Sequence, residues 1–378
     1  MKNIFYWSPF IGNVATIKAV IESAFSLSKF SKGSFFPSII NSSGEWNEYK
    51  NEMNLKKIQN IDLQESFKID TKINGFFKSR LEFLKIFIFC YFPLKKLIKK
   101  NKPDYLIVHL ITSLPLILYL FNRFETKLII RISGKVKLNF FRKLLWKLSK
   151  KNIYLITCPT HQSIEEINNL KILNSDKILF LPDPVINIRE INKKKKDHKN
   201  SKINNKYFLS IGRFTRQKNH KLLINAFANL SKNLKDTQLV IIGEGELQNE
   251  YIEIINRLNL QEKIHLIGFK KNVFPYIKNS LGIISTSLWE DPGFVMIEAA
   301  ACNTFVISSD CPSGPKEFIS NCNGILFENN NLSDLEKKII KYLNLKNSEI
   351  LKMKLGAKKQ SVNFTKLRHY KILNNNLI

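Results

Sequence analysis

Cysteine is scarce in this chain: five residues in 378, at positions 90, 158, 302, 311 and 322, with no pair at C-x-x-C spacing. That usage excludes a disulfide scaffold, favours a reducing compartment and argues against a cysteine zinc site. Six histidines, none paired at metal-binding spacing, add no case for zinc. Fourteen glycines are too few for a collagen-like chain. Long apolar runs are missing as well. The segment 86–94 is only nine residues, and 106–121 is interrupted by His109 and Pro115, whereas a spanning helix needs about 20 apolar residues. The opening residues carry neither an apolar h-region nor a small-residue cleavage site, so the expected location is the cytoplasm. Acidic residues are outnumbered, 31 against 60 Lys and Arg, leaving a net charge of +29. Such a surplus attracts polyanions, anionic bilayers or phosphate-bearing substrates.

What is present is an ordinary globular balance, 44% hydrophobic and 24% charged, which is apolar enough to exclude wholesale disorder. The length exceeds one typical domain of roughly 100–200 residues, so two are expected. Short apolar runs at 3–7, 105–110, 127–132 and 154–158, then 207–211, 238–242, 263–267, 281–285 and 304–308, alternate with helical patterns. This alternation predicts an α/β chain of doubly wound parallel sheets. Residues 189–206 hold eight basic and two acidic residues and almost nothing to bury. They read as a basic linker or loop between domains at 1–188 and 207–378, the second ending in a helical tail. Ser333 and Glu336 have capping-box spacing and predict a helix to about residue 345. No internal repeat is evident.

Two constellations carry chemistry. Gly212, Arg213, Arg216 and Lys218 directly follow the 207–211 run, where open α/β sheets bind ligands, and Arg with Lys suits a diphosphate. Glu290-Asp-Pro-Gly293-Phe294-Val295-Met-Ile-Glu298 follows the 281–285 run, and its Pro-Gly turn predicts a helix start whose Gly293, Phe294 and Val295 amides meet an anion. Glu298, set among apolar residues, reads as a buried carboxylate that needs a partner.

The second half resembles the retaining glycosyltransferases of family 4, which have the GT-B fold. The resemblance rests on an ordered set over roughly 206–345: Ser210-Ile-Gly-Arg-Phe, Gln217-Lys-Asn-His, Val240-Ile-Ile-Gly-Glu-Gly-Glu, His265-Leu-Ile-Gly-Phe, the two glutamates eight positions apart, and Gly324-Ile-Leu-Phe. It implies two Rossmann-like doubly wound parallel-sheet domains facing a central cleft, the first binding acceptor and the second the nucleotide diphosphate sugar donor. It implies a hexosyltransferase-type enzyme making bacterial surface polysaccharide or lipopolysaccharide, with a glycan or lipid-linked acceptor. By position, Arg213 and Lys218 hold the diphosphate and Glu298 the nucleotide ribose. Glu290, with the Gly293–Val295 amides, holds the donor sugar and distal phosphate, and the segment 269–272, Phe269 first, lies against the base. In the first half, Gly12 stands where the family has a glycine-rich loop, with one glycine where many relatives have two. His109 stands where many relatives place a histidine near the reacting sugar carbon. Arg131 and Asp183 end apparent strands without an assigned role. No cofactor and no metal are expected, since no D-x-D occurs among the ten aspartates.

Two alternatives stay open on the sequence: another GT-B activity on nucleotide sugars, such as epimerisation or sucrose-phosphate-type synthesis, and a non-enzymatic polyanion-binding protein. No RNP-like aromatic motif or zinc-finger spacing is present, so nucleic acid is not an expected partner. Residues 76–102 combine eight Lys and Arg with one Glu and a dense apolar stripe. Their pattern fits either a helix packed on its sheet or a basic amphipathic helix on the cytoplasmic face of an anionic membrane.

Overall fold

The computed structural model describes residues 1–10, 15–63, 76–134, 138–197, 203, 206–231, 233–234 and 236–377. The chain forms two compact units, Met1–Pro184 with Lys366–Ile378, and Val185–Thr365.

The first unit is built on a seven-stranded sheet. Its strands are β1 (Lys2–Trp7), β2 (Phe35–Asn41), β3 (Gln59–Asp62), β4 (Tyr105–Val108), β5 (Lys127–Arg131), β6 (Ile153–Cys158) and β7 (Ile178–Phe180). All pair in parallel, in the order β3-β2-β1-β4-β5-β6-β7. Alternate side chains of a strand point to opposite faces, and here both faces are covered. Phe5 and Trp7 pack in one core, Ile4 and Tyr6 in the other.

The second unit repeats the plan with six parallel strands: β8 (Lys206–Ile211), β9 (Thr237–Ile242), β10 (Ile264–Leu266), β11 (Gly282–Ser285), β12 (Phe305–Ser309) and β13 (Ile325–Phe327). Their order is β10-β9-β8-β11-β12-β13. Phe208 enters one core while Tyr207 and Leu209 enter the other. In both sheets the winding reverses beside the first strand, between β1 and β4 and between β8 and β11. Such a reversal leaves a crevice at the carboxyl ends of the two strands.

Three boundaries differ from the sequence reading. The expected linker begins inside a helix, Ile188–Lys194, capped by Asn187, whose side chain accepts from Glu190 N–H. Its one buried residue, Ile191, joins the core of the second unit with Val185 and Ile186. The expected tail of the second domain divides instead. The helix Asn347–Ser361 stays with the second unit, while Lys366–Asn376 packs on the first. There Leu373 and Leu377 enter the core of Ile4 and Tyr6, and His369 bonds Pro182 O at 2.7 Å and Ser23 Oγ at 2.8 Å. The helix expected from Ser333 is Leu332–Leu343, and its cap is Asn331, whose side chain accepts from Asp334 N–H.

Candidate functional site

The crevice between β8 and β11 brings Lys218 and Glu290 together. Gly212 directly follows β8, and a Cβ there would stand 3.0 Å from both Cγ and Cδ of Lys218. The bare Cα therefore lets the Lys218 stem lie across the strand end. Lys218 Nζ reaches Glu290 Oε1 at 2.5 Å, and the two side chains are only 18% and 12% exposed. Ser287 Oγ donates to the same carboxylate oxygen at 2.6 Å. Arg213, one residue along, is exposed and free to meet an anion from solvent.

The two strand-end segments are stitched together by backbone groups. Leu288 N–H donates to Gln217 O at 2.8 Å, and Gln217 Nε2 donates to Trp289 O at 2.9 Å. Thr286 Oγ1 lies 3.0 Å from both Lys218 O and Asn219 O. Ser309, at the end of β12, donates from Oγ to Ser287 O at 2.5 Å. Neither loop can move its charged residue without breaking several of these bonds.

His220 braces the loop from below. Gly212 O is an acceptor, so His220 Nε2 must donate to it (3.3 Å), which leaves Nδ1 to accept from Ser210 Oγ (3.2 Å). Burial, and secondarily the charge of Lys218, hold this imidazole neutral with a pKa lowered to about 4. On the far side the Gly243–Gly245 turn presses on the same loop: a Cβ at Gly243 would stand 1.9 Å from Gly212 O. Phe214 N–H donates to Glu244 O at 2.8 Å, and Glu244 Oε1 accepts from Phe269 N–H at 3.0 Å. Phe269, 65% exposed, thus stands on a loop tied to the one that carries Arg213.

The helix Phe294–Ala301 begins at Gly293, whose φ of 93° is a left-handed conformation that glycine adopts freely. Unpaired first-turn N–H groups of such a helix, here those of Phe294 and Val295, form a natural anion site. Glu298, 8% exposed, lies one turn on, with Ile297 and Ala299 wholly buried beside it. The sequence reading missed the support for this turn. Gly314 crowds Pro292, a Cβ there falling 2.3 Å from Pro292 O, and Glu290 N–H donates to Pro312 O at 3.2 Å. Cys311, buried next to this contact, has its thiol pKa pushed up to about 11, mainly by burial. The only prior signal for Ser287 was the hydroxyl-rich run Ser285-Thr-Ser ahead of Glu290.

In the first unit His109 directly follows β4 at the sheet's reversal, 6% exposed, with its ring 6.0 Å from that of Tyr6. Burial first, then the charges of Arg131 and His369, push its pKa well below the usual histidine range. Its Nδ1 is buried without a hydrogen-bond partner among the described residues. Arg131 and Asp183 form a buried ion pair at 2.6 Å, and Arg131 also donates to Leu181 O at 2.6 Å. That pair joins the end of β5 to the segment after β7. Gly12 lies outside the described residues. The structure thus gathers Gly212, Lys218 and Glu290 into direct contact in the second unit, with Arg213, Phe269, Gly293–Val295 and Glu298 on the loops around them. It sets His109 in the first unit. Among the described residues no group of three or more His, Cys, Asp or Glu is placed to hold a metal ion.

Two Rossmann-like parallel-sheet units of this kind make the GT-B fold, shared along the chain with solved glycosyltransferase structures. Residues 191–360 match the family Glycosyl transferases group 1. An uncharacterized glycosyltransferase of Methanocaldococcus jannaschii is 31% identical over 254 residues, 60% of this chain and 61% of that protein. An N-acetylgalactosamine-N,N'-diacetylbacillosaminyl-diphospho-undecaprenol 4-alpha-N-acetylgalactosaminyltransferase of Campylobacter jejuni is 39% identical over 130 residues, 34% of this chain and 35% of that protein. The chain therefore spans under two thirds of the length of these curated relatives. Among solved structures, an Anabaena protein in complex with UDP and glucose shares the fold with a TM-score of 0.73, at 15% identity, over 100% of this chain and 99% of that one.

Proposed function

We propose that this chain is a retaining, metal-independent glycosyltransferase of family 4 that moves a sugar from a nucleotide diphosphate sugar to a glycan or lipid-linked acceptor in bacterial surface polysaccharide synthesis. The observation that carries the reading is the cluster at the reversal of the second sheet. There Lys218 is paired with Glu290, shortly before the N-terminus of the helix Phe294–Ala301, and Arg213 is exposed on the loop that carries Lys218. A departing diphosphate accumulates negative charge, and fixed cations and amides aimed at it lower that barrier electrostatically. Glu290 accepts hydrogen bonds from donor sugar hydroxyls, and Glu298 accepts them from the ribose. The bond from the sugar's anomeric carbon to the phosphate oxygen breaks and one to the acceptor oxygen forms on the same face, the acceptor's proton passing to the leaving diphosphate. His109, held neutral by burial, is the first unit's candidate for contact with the donor sugar.

The test is a thermal-shift screen of UDP, GDP and ADP sugars, followed by transfer with and without exhaustive chelation. A ligand that binds only the folded state raises apparent stability, so one donor class should raise the melting temperature. The product should keep the donor's anomeric configuration, and chelation should leave the rate unchanged. An inverted product or a strict need for added magnesium or manganese rejects the mechanism, and a flat response to all three donor classes rejects the donor site.

A further inference from the structure

Two helices on one face of the first sheet expose rows of apolar side chains on their outward side. The helix Phe76–Asn101 buries Ile86, Cys90, Leu94 and Ile98 in the same core that takes Trp146 of the helix Phe140–Leu148. Both helices pack against Ser113–Phe121, which places them in one layer. At 100° per residue, the row opposite the buried one on the first helix is Leu84, Ile88 and Phe92, which are 55%, 58% and 72% exposed. Lys96 and Lys99 continue that row toward the helix end. On the shorter helix Trp146 is the one buried residue, and opposite it stand Phe140, Phe141, Leu144 and Leu148, 75%, 76%, 45% and 57% exposed.

An amphipathic surface helix ordinarily turns its apolar stripe to the core. Here the shorter helix does the reverse, and contiguous exposed apolar surface of this kind marks an interaction site. The flanking charge identifies the partner. Lys147 borders the shorter helix's outward face and no acidic residue occurs in that helix, while the longer helix adds Lys95 and Lys100. Its one carboxylate, Glu82, is buried and paired with Lys85. A protein partner is matched by mixed charges and directed polar groups, but this face offers only apolar side chains with basic residues beside them. No helix among the described residues is long and apolar enough to cross a membrane.

We propose that this face seats the first unit on an anionic lipid bilayer, with Phe140, Phe141, Ile88 and Phe92 entering the boundary between headgroups and acyl chains and the lysines meeting lipid phosphates. The proposal stands apart from the catalytic reading and does not need it.

Cosedimentation of the full chain with vesicles tests it. Binding is expected to vesicles of phosphatidylcholine with phosphatidylglycerol, not to phosphatidylcholine alone, and it weakens with added salt. Phe140→Ser with Phe141→Ser, and separately Ile88→Ser with Phe92→Ser, should each lower partitioning by roughly a hundredfold. Gln at positions 95, 96, 99 and 100 should do the same through lost charge. A fluorophore on Phe141→Cys in a Cys322→Ser background reads insertion without removing the rest of the patch, and its emission should shift to the blue only with the anionic vesicles. Wild type that ignores anionic vesicles at low salt overturns the proposal. So does a serine pair that binds as wild type does with no blue shift at position 141. Self-association of wild type that the serine pairs abolish, without vesicle binding, would assign the face to a second copy of the chain.

Discussion

Lys218→Met is the perturbation that most directly tests the site. Lys218 and Glu290 are four-fifths or more buried and in contact, and removing one member of such a pair leaves an uncompensated charge, at a typical cost of about 3–5 kcal/mol. Here Ser287 Oγ still donates to Glu290, and a hydrogen bond to a charged group returns about 1.5–3 kcal/mol. The net loss for Lys218→Met should therefore be about 2 kcal/mol. Glu290→Gln should cost about 1 kcal/mol or less, because the amide still accepts from Ser287 and the flexible lysine stem can carry its ammonium to water. Combining the two substitutions removes both charges, so the double variant should be more stable than the sum predicts, by about 1–2 kcal/mol. Because the chain has two units, stability is best read locally, from hydrogen exchange of the β8 amides at the centre of the second sheet. In the transfer assay Lys218→Met should lose about 100-fold in turnover, the usual cost of one preorganised donor to developing charge. Additive stabilities would show that the pair is not coupled. Near-normal turnover in Lys218→Met would refute its place at the diphosphate.

Arg213→Ala, by contrast, should leave stability unchanged, since the side chain is exposed, and lower turnover about 100-fold; comparing melting temperature with rate checks both halves. The His220 pKa lies below its ordinary value of 6.5, at about 4, so its contribution is complete above pH 6.5 and declines as pH falls to about 4. That loss, roughly 3 kcal/mol, should appear in β8 exchange and be flattened by His220→Gln. Gly243→Ala drives a Cβ into Gly212 O and should cost roughly 2–4 kcal/mol and abolish donor binding. Gly33→Ala, with nothing within 4 Å, should cost about 1 kcal/mol through its positive φ alone, as parallel melting curves would show.

The central strands were legible because parallel strands covered on both faces must be apolar along their length, as Leu239–Ile242 are. The ones that escaped notice lack that signature: β3 is polar, β2 carries Pro37 in its interior, and β13 is three residues long. The site was legible where chemistry is local in sequence. Gly212, Lys218, Glu290 and Glu298 announce themselves by residue type after a strand. The hydroxyl of Ser287 on Glu290 and the press of Gly314 on Pro292 depend on how β12 returns beside β11, which no short window contains. The helix Phe140–Leu148 shows the opposite limit. Periodicity alone does not tell which side of a helix faces the core, and here the core takes Trp146.

The packing of Lys366–Asn376 on the first unit bears on how the protein is made. Residues 1–184 leave the ribosome well before 366–377, yet the core around Ile4 and Tyr6 includes Leu373 and Leu377. At a synthesis rate of roughly 5–20 residues per second, the earlier-made unit waits on the order of ten seconds or more for its closing helix. Meanwhile the intervening unit has all its strands and can fold. Vectorial order is thus inverted: the part translated first is completed last, with an apolar socket open throughout. A nascent chain stalled short of residue 366 should expose that socket to chaperones and proteases, while its second unit is already protected.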